Sequence, residues 1–271
     1  ATLVIGGANS AEKTQNSQIM GVGNSMKSTT YKKVQYNYLD GFNSSITDAS
    51  HVKVLGQSVT INKGADSNTV IGDYRTVAEG QTHNVIIGNA DEKTPITTSN
   101  KDTVIVGHNA NAKVDGGVAL GAGSVASVDK DAVGYDPSGT DRNKDTSGIW
   151  KSTAAAVSVG DASKNITRQI TNVAAGTQDT DAVNVAQLKA AQTHFYSVNS
   201  ADSTAKNYKN DGATGTNALA AGVGANADKA SAVAIGDTAY AGSANGVAIG
   251  TGSWIRSSDG SKPNANGGDV A

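Results

Sequence analysis

Cysteine is absent from the 271 residues, and Phe, Trp and Met occur only twice each, Pro three times. Without cysteine there is no thiol catalysis, no cysteine-ligated metal and no disulfide framework. With so few large apolar side chains, one thick core cannot be built. No apolar run approaches the length that spans a bilayer. Charge of one sign is also missing: 22 Lys and Arg stand against 24 Asp and Glu, for a formal net charge of -2. No basic cluster is present, which argues against nucleic-acid binding. No secretory leader opens the chain. It starts mid-pattern with Leu3-Val4-Ile5-Gly6, as an excised fragment would.

What is present is glycine, at 32 residues, with Ala, Ser, Thr and Asn, and short groups of Val and Ile. Those groups repeat. An apolar triplet or quartet ending in Gly occurs as Leu3-Val4-Ile5-Gly6, Ile19-Met20-Gly21, Val52-Lys53-Val54-Leu55-Gly56 and Thr69-Val70-Ile71-Gly72. It returns as Val85-Ile86-Ile87-Gly88, Val104-Ile105-Val106-Gly107 and Val118-Ala119-Leu120-Gly121. Ala132-Val133-Gly134 reads as a degenerate copy and Leu39-Asp40-Gly41-Phe42 as an outlying one. Gly56, Gly72 and Gly88 are 16 apart, and Gly107 and Gly121 are 14 apart. Near the C-terminus, Ala220-Ala221-Gly222, Val233-Ala234-Ile235-Gly236 and Val247-Ala248-Ile249-Gly250 keep a strict spacing of 14. Ala or Ser follows three residues after each of these glycines. Two insertions, 27–38 and 89–102, stretch the period.

A period near 14 fits two short strands and two turns. Val and Ile suit a pleated surface, and Gly permits the turns. Stacked in parallel, such units form a solenoid that advances one strand spacing, about 4.8 Å, per coil. Helical repeats do not fit, since Gly, Asn and Thr are poor helix formers and the apolar groups are too short for a helical stripe. Thin layers of Ala and Val would leave apolar surface uncovered, and a closed symmetric oligomer is the natural remedy.

Residues 150–199 break the repeat. The one convincing helix runs over 182–192, with Asp179, Thr180 or Asp181 to cap it. Val185, Leu188, Gln192 and Phe195 follow a 3-4-3 spacing, as in a coiled-coil seam. Arg168-Gln169-Ile170-Thr171-Asn172-Val173-Ala174-Ala175-Gly176, followed by Asp181-Ala182-Val183-Asn184-Val185-Ala186-Gln187-Leu188, resembles the neck of trimeric autotransporter adhesins. Trp150-Lys151-Ser152 through Val157-Ser158-Val159-Gly160-Asp161 resembles the insertion of the long neck variant. The Val-Ala-Ile-Gly repeats resemble the YadA-like heads of that family.

The resemblance implies a mainly β fold: a trimeric, left-handed parallel β-roll with a short helical, coiled-coil neck. It divides the chain into a first head with insertions (1–149), a long neck (150–192), a connector (193–212) and the start of a second head (213–271). Arg168, Asp181, Val185, Leu188 and Gln192 are the expected trimer-neck residues, with Arg168 a partner for Asp179 or Asp181 of another chain. The implied function is non-enzymatic adhesion at the bacterial surface, to host matrix, host receptors or other bacteria. Anchoring falls to a C-terminal region outside this sequence. Collagen binding does not carry over, because the first head departs from the regular pattern at Asp40, Tyr74 and His108.

Candidate sites are few. Tyr31, Tyr36, Tyr38 and Phe42 lie in or beside the first insertion, and exposed aromatics often anchor interfaces. The competing reading is that they cover adjoining coils. His51, His83, His108 and His194 show no ligand spacing, so no metal or other cofactor is expected. The glycines at 116–123 lack the Gly-Lys-Ser/Thr ending of a phosphate loop, and no nucleophile elbow is present. Two other classes stand against an adhesin. A carbohydrate-active β-solenoid enzyme would need convergent carboxylates on neighbouring coils. A phage-type trimeric fibre would not carry the neck.

Overall fold

A computed structural model describes residues 1–30, 32, 34–137, 140–192, 197–256 and 264–266. The chain forms two compact units, 1–184 and 185–271. Each is mainly a parallel β-solenoid.

In the first unit, nine strands make one long parallel sheet. They run in chain order from Thr2–Ile5 and Ser17–Val22 through Tyr38–Phe42 and Lys53–Gln57 to Thr69–Ile71, Val85–Ile87, Val104–Val106, Val118–Leu120 and Val157–Ser158. Every clear Val/Ile-Gly repeat supplies one strand. Tyr38–Phe42 is a full member, so the outlying copy belongs to the stack. The degenerate copy at 132–134 does not, since Val133 makes only an isolated antiparallel bridge to Lys151. The ninth place goes to Val157–Ser158, which lies inside the stretch read as neck.

Six strands form a second wall: Ser10–Glu12, Ser25–Lys27, Ser45–Thr47, Thr60–Ile61, Arg75–Val77 and Ile96–Thr98. Both supposed insertions therefore contribute to the roll. Val34–Gln35 pairs with Thr14–Gln15, and Val34 is buried. Ile96–Thr98 pairs with Arg75–Val77. What leaves the roll in the second insertion is a tight excursion closed by an Asp91–Thr94 bridge.

The core is a narrow column between the walls. Ile19, Leu39, Val54, Val70, Ile86, Ile105 and Ala119 stack in register from the long sheet. Met26, Ile46, Ile61 and Val77 supply the second wall. Where the spacing falls to 14, alanine lines the core at Ala110, Ala112, Ala119 and Ala126. A shorter coil encloses less width, so only a small side chain fits.

Two devices hold the turns. The repeat glycines stack on one another: a Cβ on Gly88 would sit 2.5 Å from the Gly107 carbonyl oxygen, and Gly88 has φ of 132°. Only glycine satisfies both conditions. Buried polar ladders supply the second device. Asn68 donates to the carbonyls of Ala65 and Gln81, and its own side-chain oxygen accepts from the Asn84 amide. Asn84 in turn accepts from the amide and hydroxyl of Thr103. Backbone groups at the corners of the coils are thereby satisfied away from water.

The second unit repeats the plan in miniature. Leu219–Ala221, Val233–Ile235 and Val247–Ile249 form one parallel sheet, with Asn226–Ala227, Tyr240–Gly242 and Trp254–Arg256 in the other wall. Its core is almost wholly alanine: Ala225, Ala227, Ala232, Ala234, Ala239, Ala241 and Ala248, closed by Ile255. Asn207 starts this stack, donating to the carbonyls of Ala220 and Gly222 and accepting from the Gly212 amide.

Candidate functional site: an uncovered sheet face, a neck and two loops

On a strand, alternate residues point to opposite sides. The residues between the core positions of the long sheet therefore face outward, in two columns. The first column, in register, is Leu3, Gln18, Tyr38, Lys53, Thr69, Val85, Val104, Val118 and Val157. The second is Ile5, Met20, Asp40, Leu55, Ile71, Ile87, Val106 and Leu120. From Leu55 to Leu120 the second column is unbroken aliphatic surface, with 36% to 50% of each side chain exposed. The second unit has the same face: Leu219, Val233 and Val247 beside Ala221, Ile235 and Ile249. A continuous apolar surface of this kind marks an interface.

The stretch read as neck begins as part of the first roll. Asp161 accepts from the amide and hydroxyl of Ser163 at 3.0 and 2.7 Å, which holds its carboxyl below the usual range. Arg168 then reaches back over the last glycine turn. It donates to the Ala122 carbonyl at 2.7 Å, the Val159 carbonyl at 2.5 Å and the Ser124 hydroxyl at 3.1 Å. Within one chain, then, the guanidinium is occupied by its own roll, and the expected pairing with Asp179 or Asp181 of another chain is not what its contacts favour. Asp181 is occupied too. It accepts from the Thr177 and Gln178 amides at 2.9 and 3.0 Å, and these bonds hold its carboxyl low. It closes a turn there, where a helix cap was expected.

The helix is shorter than 182–192, running over Val185–Ala190. Val185 and Leu188 are on it and largely exposed, Leu188 by 68%, with Gln192 just beyond. Phe195, the fourth seam position, lies outside the described residues. Six residues cannot sustain a helix alone. Among the described residues these apolar side chains find little of their own chain to bury against.

Among the described aromatic candidates, Tyr36 and Tyr38 share a groove and Phe42 does not line it. Tyr31 lies outside the described residues. Tyr36 stacks on His51 with ring centroids 5.2 Å apart. Tyr38 stands in the first face column, and Phe42 lies at the strand end beside Val22. Tyr36 and Tyr38 both line a shallow groove, with Leu3, Gln18 and Lys53. Nearby, Asp48 ties down the loop at 28–30: it accepts from the Ser28 and Thr29 hydroxyls and the Thr29 amide, and the Thr29 hydroxyl holds its carboxyl low.

His83 approaches Asp102 at 3.6 Å and His108 approaches Asp91 at 3.3 Å, both on the surface. No group of three metal-ligating side chains occurs among the described residues, and His194 lies outside them.

Sequence reasoning missed Arg75. It is completely buried, with no carboxylate partner among the described residues. Its guanidinium donates to the carbonyls of Gly88, Asn89, Gly107 and Ala110 at 2.8 to 3.3 Å. Burial pushes its pKa down to about 10. The signal lay in the repeat: Arg75 is three residues after Gly72, a place held by Ala or Ser in the regular coils.

Each unit is a stacked parallel β-roll with an apolar sheet face left uncovered among the described residues. Residues 169–235 match the family model described as the coiled stalk of trimeric autotransporter adhesin. The match covers 169–192 of the stretch read as neck and runs into the first coils of the second roll, where the described residues form strands as well as the short helix. The autotransporter adhesin BadA of Bartonella henselae is 62% identical over 73 residues, which is 27% of this chain and 2% of that protein. The trimeric autotransporter adhesin AtaA of Acinetobacter sp. (strain Tol 5) is 54% identical over 70 residues, 25% of this chain and again 2% of the relative. The chain thus spans about 2% of the length of the relatives it matches. Over this stretch the chain is similar to trimeric autotransporter adhesins.

Proposed function

We propose that the chain is a head-and-neck segment of a bacterial surface adhesin. Three parallel copies assemble with the long-sheet faces turned toward a common axis. The uncovered apolar columns, repeated in both units, carry this reading. Left to water, each leaves a row of half-exposed Ile, Leu and Val. Covering such side chains contributes about 25 cal/mol per Å² of apolar area. The first head is 1–149 and the neck is 150–192, where Val185, Leu188 and Gln192 make the seam of the three copies. The connector 193–212 opens into the second head, 213–271.

Adhesion without a deep pocket works by avidity: three identical chains per fibre, and many fibres per cell, multiply weak contacts. The attachment targets are host matrix proteins, host receptors or the surfaces of other bacteria. The fibre is held at the outer membrane by a region outside this sequence. The segments at 28–30 and 91–94, which leave the first roll, are the places where binding residues can vary without disturbing the stack. Tyr31 and Tyr36 follow the first of them in the sequence.

The test has two stages. Sedimentation of the purified chain should give a trimer, and a folded monomer at micromolar concentration would end this reading. The trimer is then screened on immobilised matrix proteins, glycans and whole bacteria. Replacing 29–33 and 91–94 by short Gly/Ser links should keep the trimer and weaken attachment. Attachment unchanged by both replacements would put the binding surface elsewhere.

A further inference from the structure

The two outward columns of the long sheet carry two charged residues between them, and those two are neighbours. Asp40 interrupts the aliphatic second column, level with Tyr38 of the first. Lys53 stands in the first column on the next strand, level with Leu55. Gln18 precedes Tyr38 in that column, so its polar stretch is Gln18, Tyr38 and Lys53, centred on the coil that carries Asp40. The face of the second unit has no charged residue at all. Asp40 and Lys53 are not joined within the chain. Neither side chain takes part in an ion pair or hydrogen bond among the described residues.

A charge in the middle of an apolar face disfavours burial unless it meets a partner. Three sheets arranged around an axis meet edge to edge, each contact being heterologous: the first column of one copy lies against the second column of the next. In that arrangement the carboxylate of one copy faces Tyr38 of its neighbour on the same level. It also lies one strand spacing, about 4.8 Å, from the level of the neighbour's lysine. The long, flexible lysine stem spans such an offset.

We infer that Asp40 of one copy pairs with Lys53 of the next, and that this ring of three pairs fixes the axial register of the assembly. This rests on the trimeric reading above. The rest of the face needs such a device. From Leu55 to Leu120 one aliphatic step is much like another, so a slip by one coil forfeits little apolar contact. Offsets around a closed ring of three must cancel, so a copy that slips by one coil parts the charges at one of its two contacts, leaving Asp40 level with Gln18 and two strand spacings from the lysine. A single polar group in a coiled-coil seam selects register in the same way, at some cost in stability.

A charge-swap cycle on the full chain tests the pair. Asp40→Lys and Lys53→Asp each place like charges together. Each should raise the concentration at which the trimer half-dissociates, in a fixed amount of denaturant, by about tenfold or more. Combining both substitutions restores opposite charges and should return that concentration to near the wild-type value. Single variants that assemble like wild type, or a combined variant no better than either single one, would overturn the pairing.

Register is read separately by cross-linking, since the chain has no cysteine of its own. Chains carrying Thr69→Cys and chains carrying Ile71→Cys are co-expressed, and these positions meet only in register. Thr69→Cys with Ile87→Cys reports a slip of one coil. The in-register product should dominate in the wild-type background, and the slipped product should rise several-fold in Asp40→Asn with Lys53→Gln. A slipped yield that does not rise would overturn the register role. A wild-type chain that never forms a trimer sinks the trimeric reading itself, whereas a trimer that fails the swap sinks only the pair.

Discussion

Arg75 shows how one residue can mend an irregular coil. In the regular coils the residue three after the glycine is small and points inward, as at Ala110 and Ser124. After Gly88 that place falls to Asp91, which turns outward to accept from Asn109 at 2.6 Å and to meet His108. The interior loses a side chain there, and the carbonyls of the glycine turns lose a donor. Arg75, one coil earlier, extends into the gap and supplies both volume and donors. Charge-assisted bonds to four carbonyls make the buried cation tolerable. Arg75→Ala should lower unfolding free energy by about 3 kcal/mol or more, from the void together with orphaned carbonyls. Arg75→Lys should recover only part of this, because an ammonium cannot span two turns as the planar fork does. Urea unfolding followed by circular dichroism measures both. An Arg75→Ala midpoint equal to wild type would remove the strut from this account.

At the scale of the element, the coil is defined by its glycine turn more than by its strands. The strands are three residues long in most coils and could not stand alone. Their register is set where Gly72, Gly88, Gly107 and Gly121 stack backbone on backbone. The contrast with glycines elsewhere is sharp. Gly80 also has positive φ, 72°, but a Cβ there would meet nothing within 4 Å. Gly80→Ala should therefore cost only the left-handed penalty, about 1–2 kcal/mol. Gly88→Ala adds a collision with the Gly107 carbonyl and should cost clearly more, since the next coil must move to relieve it. Thermal melts of the two variants decide this, and equal melting temperatures would show that the ladder yields easily.

For the whole molecule, the question is what covers apolar surface that one chain leaves in water. Leu188 shows it most simply. In a lone chain it is exposed, and Leu188→Ala would change stability by a few tenths of a kcal/mol. In a trimer with the seam closed, the same change removes a buried leucine three times, at about 2–5 kcal/mol for each site. Leu188→Asp is worse, since three carboxylates are brought together in an apolar seam. Wild type, Leu188→Ala and Leu188→Asp should melt in that order, highest first, and the differences should shrink on dilution below the assembly threshold. Three identical melts would place the clamp away from Leu188.

The repeat, the parallel stack and the neck were legible in the sequence, for a physical reason. In a solenoid each coil meets its neighbours in sequence, so periodicity in the chain becomes periodicity in space. Short Val/Ile groups, the obligatory turn glycine and the Ala or Ser three residues on are local requirements, and each is written locally. What the tertiary structure alone decided is where the period is broken. Residues 27–38 and 89–102 read as insertions by length, yet Val34–Gln35 and Ile96–Thr98 are strands of the walls. Their pairing partners lie a coil away, and no local pattern names them. The ninth strand likewise passed over 132–134 and was taken from Val157–Ser158. Arg75 and Arg168 found their roles only when packing placed unsatisfied carbonyls within reach of a guanidinium. A periodic sequence dictates the regular coil; where the regularity fails, backbone groups and volume must still be satisfied, and only the packed fold determines which residue does it.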